Sequence, residues 1–180
     1  MSRVILITGD LASGKSLLAD SLSLRLNIPA FEKDKIKERF VDQYGFKNRE
    51  ENRALSIKAV EYMVEALERF LKLNNDIILE ANFRGNELKK IEEICAKNVT
   101  DVTLFVLRGD YEVLYKRFLE RLPNRHIAHT SIGLEESIDK FKNYLNELRN
   151  EDLVFHPHII DMSDMTPEEV LKEALKYLEK

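Results

Sequence analysis

The residues Gly9-Asp10-Leu11-Ala12-Ser13-Gly14-Lys15-Ser16 fit the spacing G-x-x-x-x-G-K-[ST]. Those residue types at those intervals can hold a polyphosphate. Glycines let the backbone curl around a phosphate with no Cβ in the way. A helix start adds unpaired N–H groups and partial positive charge. Lys15 can reach the β- and γ-phosphates, and the Ser16 hydroxyl can ligate Mg²⁺. The expected ligand is MgATP, held by residues 9–16 with Leu17 beside them. A glycine/serine turn can match the same letters by chance, so the flanks decide. Arg3-Val4-Ile5-Leu6-Ile7-Thr8 before the loop reads as a buried parallel strand, and the Leu-bearing stretch 17–26 after it reads as a helix. Strand, loop, helix is the context the motif requires.

Phosphoryl transfer to a hydroxyl also needs a carboxylate that orients the hydroxyl and takes its proton. Asp34 is a candidate for that role, and Lys37, one helical turn on, can hold an anionic group of the acceptor. The competing reading is a charged, solvated helix start with Asp34 as its N-cap. Glu80 closes an apolar run. A carboxylate there can hold Mg²⁺, act as a base, or simply end a strand facing solvent. Asn82 and Arg84 follow as candidate acceptor contacts. Farther on stand Arg117, Arg121 and Arg125, with His126 and His129. Arginines from a closing segment stabilise the charge on the γ-phosphoryl oxygens and exclude water. Arg121 and Arg125, near the break at Pro123, are expected in that role; Arg117 reads equally as an ion-pair partner of Glu112 or Glu120. Two histidines make no closed metal site, so substrate contact or packing is expected of His126 and His129.

These residues need elements to place them. Strands are expected at 3–8, about 30–31, 76–81, 102–107 and 158–162. Between them run helical patterns at 17–26, 34–43 and 52–73, another marked by Leu88, Ile91 and Cys95, then one from the N-cap Asp110 to Leu122 and a stripe from Leu134 to Leu148. Thr166-Pro167-Glu168-Glu169 starts the last helix, with Thr as N-cap and Pro at the first helical position. Strands alternating with helices give an α/β protein with a parallel sheet covered on both faces. Ligands in such folds bind at the carboxyl ends of the strands. Site residues therefore fall at 9–16, 32–37, 80–84, 108–110 and 161–164, and the stretch 162–166 can border an adenine.

Composition narrows the classes. With 180 residues, the chain suits one α/β domain, 1–180, better than two. Charged residues at 33% beside 44% hydrophobic argue for a packed core and against disorder. A net charge of −4 gives no broad basic surface for a nucleic acid. The lone Cys95 shares a helical face with Leu88 and Ile91 and reads as core. The first strand begins at once, leaving no room for a signal peptide, and no apolar run approaches a membrane span. The expectation is a cytoplasmic protein.

Taken together, these residues resemble the P-loop kinases of the nucleoside-monophosphate-kinase type, and among them small kinases similar to chloramphenicol phosphotransferase, the zeta toxins and the polynucleotide 5′-hydroxyl kinase domain. Besides the loop, Lys33-Asp34-Lys35-Ile36-Lys37-Glu38 is similar to a K-D-x-[IL]-K-E segment, and Ile78-Leu79-Glu80-Ala81-Asn82-Phe83 to a strand ending in an acid followed by N-[FL]. Arg117-Phe118-Leu119-Glu120-Arg121 looks like the helix entering a lid, and Arg125-His126-Ile127-Ala128-His129 like a lid segment that often reads R-H-P-G-H. Ile127 and Ala128 stand where that segment has Pro and Gly, and Asp10 and Leu11 where many relatives have Pro or Gly. The resemblance implies a three-layer P-loop NTPase fold with strand order 2-3-1-4-5, a lid at about 123–133, Asp34 as base, and Lys37 as acceptor contact. The activity implied is transfer of the ATP γ-phosphoryl group to a hydroxyl of a small molecule. Two alternatives stand beside it: a polynucleotide or nucleoside 5′-hydroxyl kinase, and a regulatory ATPase with no acceptor, which would need neither the Asp34–Lys37 pair nor a lid.

Overall fold

The computed structural model describes residues 2–129 and 133–178. Its elements follow in chain order: β1 (Arg3–Gly9), α1 (Lys15–Leu26), β2 (Ala30–Glu32), α2 (Lys33–Tyr44), α3 (Arg49–Lys72), β3 (Ile77–Glu80), α4 (Gly85–Lys97) and β4 (Asp101–Arg108). Then come α5 (Tyr111–Arg121), two short 3-10 turns (Leu122–Asn124 and Leu134–Glu136), α6 (Ile138–Arg149), β5 (Pro157–Asp161) and α7 (Pro167–Leu178). All five strands are parallel, in the order β2-β3-β1-β4-β5.

The strands alternate their side chains between the two sheet faces, so each strand feeds two cores. Ile5 and Ile7 of β1 pack with Ile78, Phe105 and Leu107 against α1, α5, α6 and α7. Val4 and Leu6 pack with Ile77, Leu79, Leu104 and Val106 against α3 and α4. The pairing Val4↔Ile77 and Ile5↔Ile78 keeps like faces together. Cys95 sits in the second core, and burial pushes its thiol up to about 11, so it packs as a small apolar group.

Several boundaries differ from the pattern-based expectation. Helix α3 starts at Arg49, one turn before residue 52, because Asn48 caps it by accepting from the Glu51 N–H at 2.9 Å. Its first turn is polar, so apolar periodicity alone does not find it. Asp34 is not the N-cap of α2; Glu32 holds that position and Asp34 lies inside the first turn. Pro123 ends α5 as expected, through the 3-10 turn Leu122–Asn124. Of the lid expected at 123–133, residues 130–132 lie outside the described residues. Among the described residues no helix is long and apolar enough to cross a membrane.

Candidate active site

β1 delivers the loop to the carboxyl edge of the sheet. Gly9 has φ +124°, and a Cβ there would lie 2.1 Å from the Leu107 carbonyl oxygen, so only glycine lets the chain leave β1 against β4. The Asp10 N–H then donates to that same carbonyl at 2.9 Å. Gly14 takes the left-handed conformation and caps α1. The N–H groups of the first turn of α1 are thereby left free for an anion. Lys15 is only 8% exposed, and its ammonium donates to the Asp10 carbonyl at 2.6 Å. Ser13 Oγ donates to the same oxygen at 2.8 Å. Burial pulls the Lys15 pKa down, while Glu80, Asp34 and Asp10 pull it back up.

Residues Leu11 to Leu17 line a polar cavity of about 380 Å³. Its opposite wall carries Lys33 and Asp34 from α2, Glu80 from the end of β3, and Asn82 and Arg84 from the loop beyond. Arg121 and Arg125 close a third side. Residues far apart in the chain thus share one chamber. Glu80 is 4% exposed and accepts from Ser16 Oγ at 3.2 Å. Burial pushes its carboxyl up to about 7, against the pull of Lys15. A buried carboxylate this short of counter-charge, beside a serine hydroxyl, fits a hard divalent cation with oxygen ligands. Among the described residues no set of three His, Cys, Asp or Glu side chains makes a closed metal site.

Asp34 is 58% exposed on its side chain and faces the cavity. Asn82 also lines it, and among the described residues its buried Oδ1 has no hydrogen-bond partner. Arg84 lines the cavity while its Nη1 pairs with Glu151 at 2.7 Å. A second chamber, of about 320 Å³, lies on the far side of Gly14. Met162, Met165, Val170 and Leu18 make it largely apolar, and Arg117, Glu120 and Arg121 form its rim. Its walls suit the flat apolar faces of a nucleobase. Met162 and Met165, two residues of the 162–166 stretch, line this chamber. Arg117 pairs with neither Glu112 nor Glu120 in the expected way: its Nη1 meets Met162 Sδ at 3.3 Å, while Glu112 pairs with Lys142 at 2.7 Å.

Four expected contacts are placed elsewhere. Lys37 does not line the cavity; its ammonium donates to the Ala128 carbonyl at 2.8 Å. The Asn52 amide donates to that same carbonyl at 3.1 Å. His126 pairs with Asp42 at 3.1 Å, and His129 with Glu38 at 2.7 Å, with its Nδ1 3.9 Å from Asp34. Lys37, His126 and His129 dock the segment after Pro123 onto α2, and Asn52 docks it onto α3. The reason is spatial: the exposed face of α2 presents Glu38 and Asp42 one turn apart, and the buried Ala128 brings the histidines to them. Asp10 is the fourth. Its carboxylate is buried and turned away from the main cavity, held by Arg149 at 2.6 Å.

The sequence pattern misses Ser56 on α3, and Phe118 and Tyr144 on α5 and α6, all of which line the main cavity. It also misses Arg149. Phe118 falls inside the segment Arg117–Arg121 without having been singled out, and the other three belong to no short motif. The only signal available for Ser56 is a small polar residue one turn before Ala59 and Val60 on an amphipathic helix.

A sequence family described as an AAA domain matches residues 5–137. Comparison with curated proteins finds no match. Among solved structures, a candidate kinase from Chloroflexus aurantiacus superposes with a TM-score of 0.82 at 20% identity, covering 97% of each chain. A gluconokinase from Sinorhizobium meliloti gives 0.65 at 17% identity, covering 98% of this chain and 91% of its own. A shikimate kinase from Aquifex aeolicus gives 0.62 at 22% identity, covering 98% and 96%. At these identities the likeness establishes the P-loop NTPase fold.

Proposed function

We propose that this chain, which belongs to the AAA domain family, is a kinase that moves the γ-phosphoryl group of ATP to a hydroxyl group of a small molecule. One observation carries the reading. The phosphate-binding loop and the exposed carboxylate of Asp34 face each other across a single polar cavity of about 380 Å³, with Arg121 and Arg125 at its side. A regulatory ATPase needs no such second wall. The chamber also suits a small acceptor better than a polymer, because the chain is acidic overall. The solved gluconokinase and shikimate kinase share the fold and are consistent with the same class of chemistry.

The geometry supports the following roles. The triphosphate lies along Gly9–Ser16, with the base against Met162 and Met165. Ser16 and Glu80 would hold Mg²⁺, which offsets charge on the β- and γ-phosphates when bound. Asp34 accepts the proton of the acceptor hydroxyl as that oxygen bonds to the γ-phosphorus. The bond from phosphorus to the β,γ-bridging oxygen breaks, and ADP leaves with the electron pair. Lys15, Arg121 and Arg125 stabilise the charge spread over the transferring group. Asn82 and Arg84 sit on the acceptor wall, where an unpartnered amide oxygen and a guanidinium orient the substrate.

The test is a screen of hydroxyl-bearing metabolites with MgATP, scored by a phosphorylated product and not by ADP alone. A product whose formation stops in Asp34→Asn supports the reading. ATP hydrolysis with no phosphorylated product across a broad panel returns the regulatory ATPase. A product formed only on oligonucleotides, with steep salt dependence, returns the polynucleotide kinase.

A further inference from the structure

The second residue of the phosphate-binding loop is an aspartate, and a carboxylate there works against a polyanionic ligand. Its field reaches the loop: Asp10 is among the charges that raise the pKa of Lys15. Yet Asp10 is 1% exposed and its two oxygens are fully engaged. Oδ1 accepts from Arg149 Nε at 3.0 Å, and Oδ2 accepts from Arg149 Nη2 at 2.6 Å and from the Gly109 N–H at 3.1 Å. Arg149 Nη2 also donates to the Gly109 carbonyl at 2.7 Å, and its guanidinium lies 4.4 Å from the Tyr111 ring centroid. This fork is seated from several sides at once, which is the arrangement that keeps an arginine in one geometry.

The direction of the carboxylate matters as much as its charge. Residues 11–17 line the main cavity, whereas Asp10 and Arg149 border a separate space of about 20 Å³ behind the loop. The Asp10 main chain meanwhile faces the other way, its carbonyl accepting from Lys15 Nζ and Ser13 Oγ. One residue therefore serves the loop with its backbone while its side chain is withheld. Arg149 stands at the last position of α6, 139 residues away in sequence, so the end of that helix is tied directly to the start of the loop.

We infer that Arg149 is a positioning residue for nucleotide binding: it neutralises the Asp10 carboxylate and holds it behind the loop, which makes an otherwise self-opposed loop a receptor for phosphates. The inference rests on the reading of Gly9–Ser16 as the nucleotide site. It assigns Arg149 no contact with the nucleotide, only control of the charge that the phosphates meet. It also explains how Asp10 can occupy a loop position next to a bound triphosphate: the charge is cancelled from the opposite side.

Binding of MgATP, measured by titration calorimetry on the full chain with melting temperatures alongside, tests it through charge. Arg149→Met leaves Asp10 uncompensated and weakens ATP binding by about tenfold or more. Two further variants keep the site neutral in different ways: Arg149→Lys retains the cation without the fork, and Asp10→Asn combined with Arg149→Met removes both charges. Both restore binding to within about threefold of the parent. A role in loop geometry alone would weaken both of them along with Arg149→Met, since both lose the fork. The inference is overturned if folded Arg149→Met binds ATP like the parent, or if either charge-neutral variant stays about tenfold weak. Should Arg149→Met not fold, the two neutral variants decide by the same limits. If the parent protein itself binds neither ATP nor GTP, the nucleotide reading of the loop falls first, and that result is distinct from any difference among the variants.

Discussion

On the donor side of the cavity, Lys15 is buried and its ammonium is fixed on a backbone carbonyl 2.6 Å away. On the proposed acceptor side, Asp34 is more than half exposed, and its one ion-pair neighbour among the described residues, His129 Nδ1, is 3.9 Å off. The donor site is made of backbone and closed by the core; the acceptor site is made of side chains and open to solvent. The contrast teaches where each specificity is stored. On the proposed reading a triphosphate meets a loop that any nucleotide enzyme of this fold can reuse, and an acceptor meets side chains from α2, α3 and α6 with Asn82 and Arg84 beyond β3.

The largest break in the comparison is at Lys15. Lys15→Ala removes a preorganised cation from a water-poor site and lowers turnover about 10³-fold. Steady-state kinetics check it, and near-normal turnover would take the loop out of the mechanism. Asp34→Asn acts on the other side: kcat falls about 10²-fold while ATP affinity holds. Equal loss of both would mean that Asp34 serves the nucleotide, and that the two sides are not separable.

The same contrast decides how much could be read from the sequence. The loop and the five strands were legible, because a contiguous motif and apolar runs of β-branched residues encode them locally, whereas the strand order came only with the family resemblance. Asp34 and Glu80 were legible as candidates because strand ends in a parallel sheet point to one edge. Lys37, His126 and His129, expected at the acceptor, pair with groups of their own chain, because a basic residue looks the same in sequence whether it meets a substrate or an internal carbonyl or carboxylate. Ser56, Tyr144 and Arg149 were invisible, since only the folded sheet brings α3 and α6 to the cavity and to the back of the loop.

Glu80 sits where the two sides meet, and it sharpens the comparison through pH. Its folded pKa, about 7, is above its ordinary 4.5 because burial favours the neutral acid. The folded state therefore holds this proton more tightly than the unfolded chain does. The stability this provides is complete below about pH 4.5 and is lost as pH rises through 7. For the nucleotide-free protein the loss is on the order of 3 kcal/mol at most. Glu80→Gln removes the dependence, so the melting temperatures of parent and variant converge at low pH and separate at neutral pH. Parallel curves would show that burial does not govern this carboxyl. Mg²⁺ with ATP should narrow the neutral-pH gap, because a cation beside Glu80 favours its ionised form.

The smallest effect tests the residue that moved furthest from expectation. Lys37 spends its ammonium on the Ala128 carbonyl, which also takes a bond from Asn52, so the carbonyl keeps one partner when the other is lost. Lys37→Met therefore costs stability of only about 1 kcal/mol. Its consequence is local: the segment after Pro123 is held less firmly on α2, and Arg125, three residues before Ala128, is placed less well. Proteolysis near 123–129 should quicken, and kcat should fall by about threefold with the acceptor KM nearly unchanged. A tenfold rise in acceptor KM at constant melting temperature would reverse the assignment. It would put the Lys37 ammonium on the substrate, and make the acceptor wall extend along α2 to the very residue that now closes it.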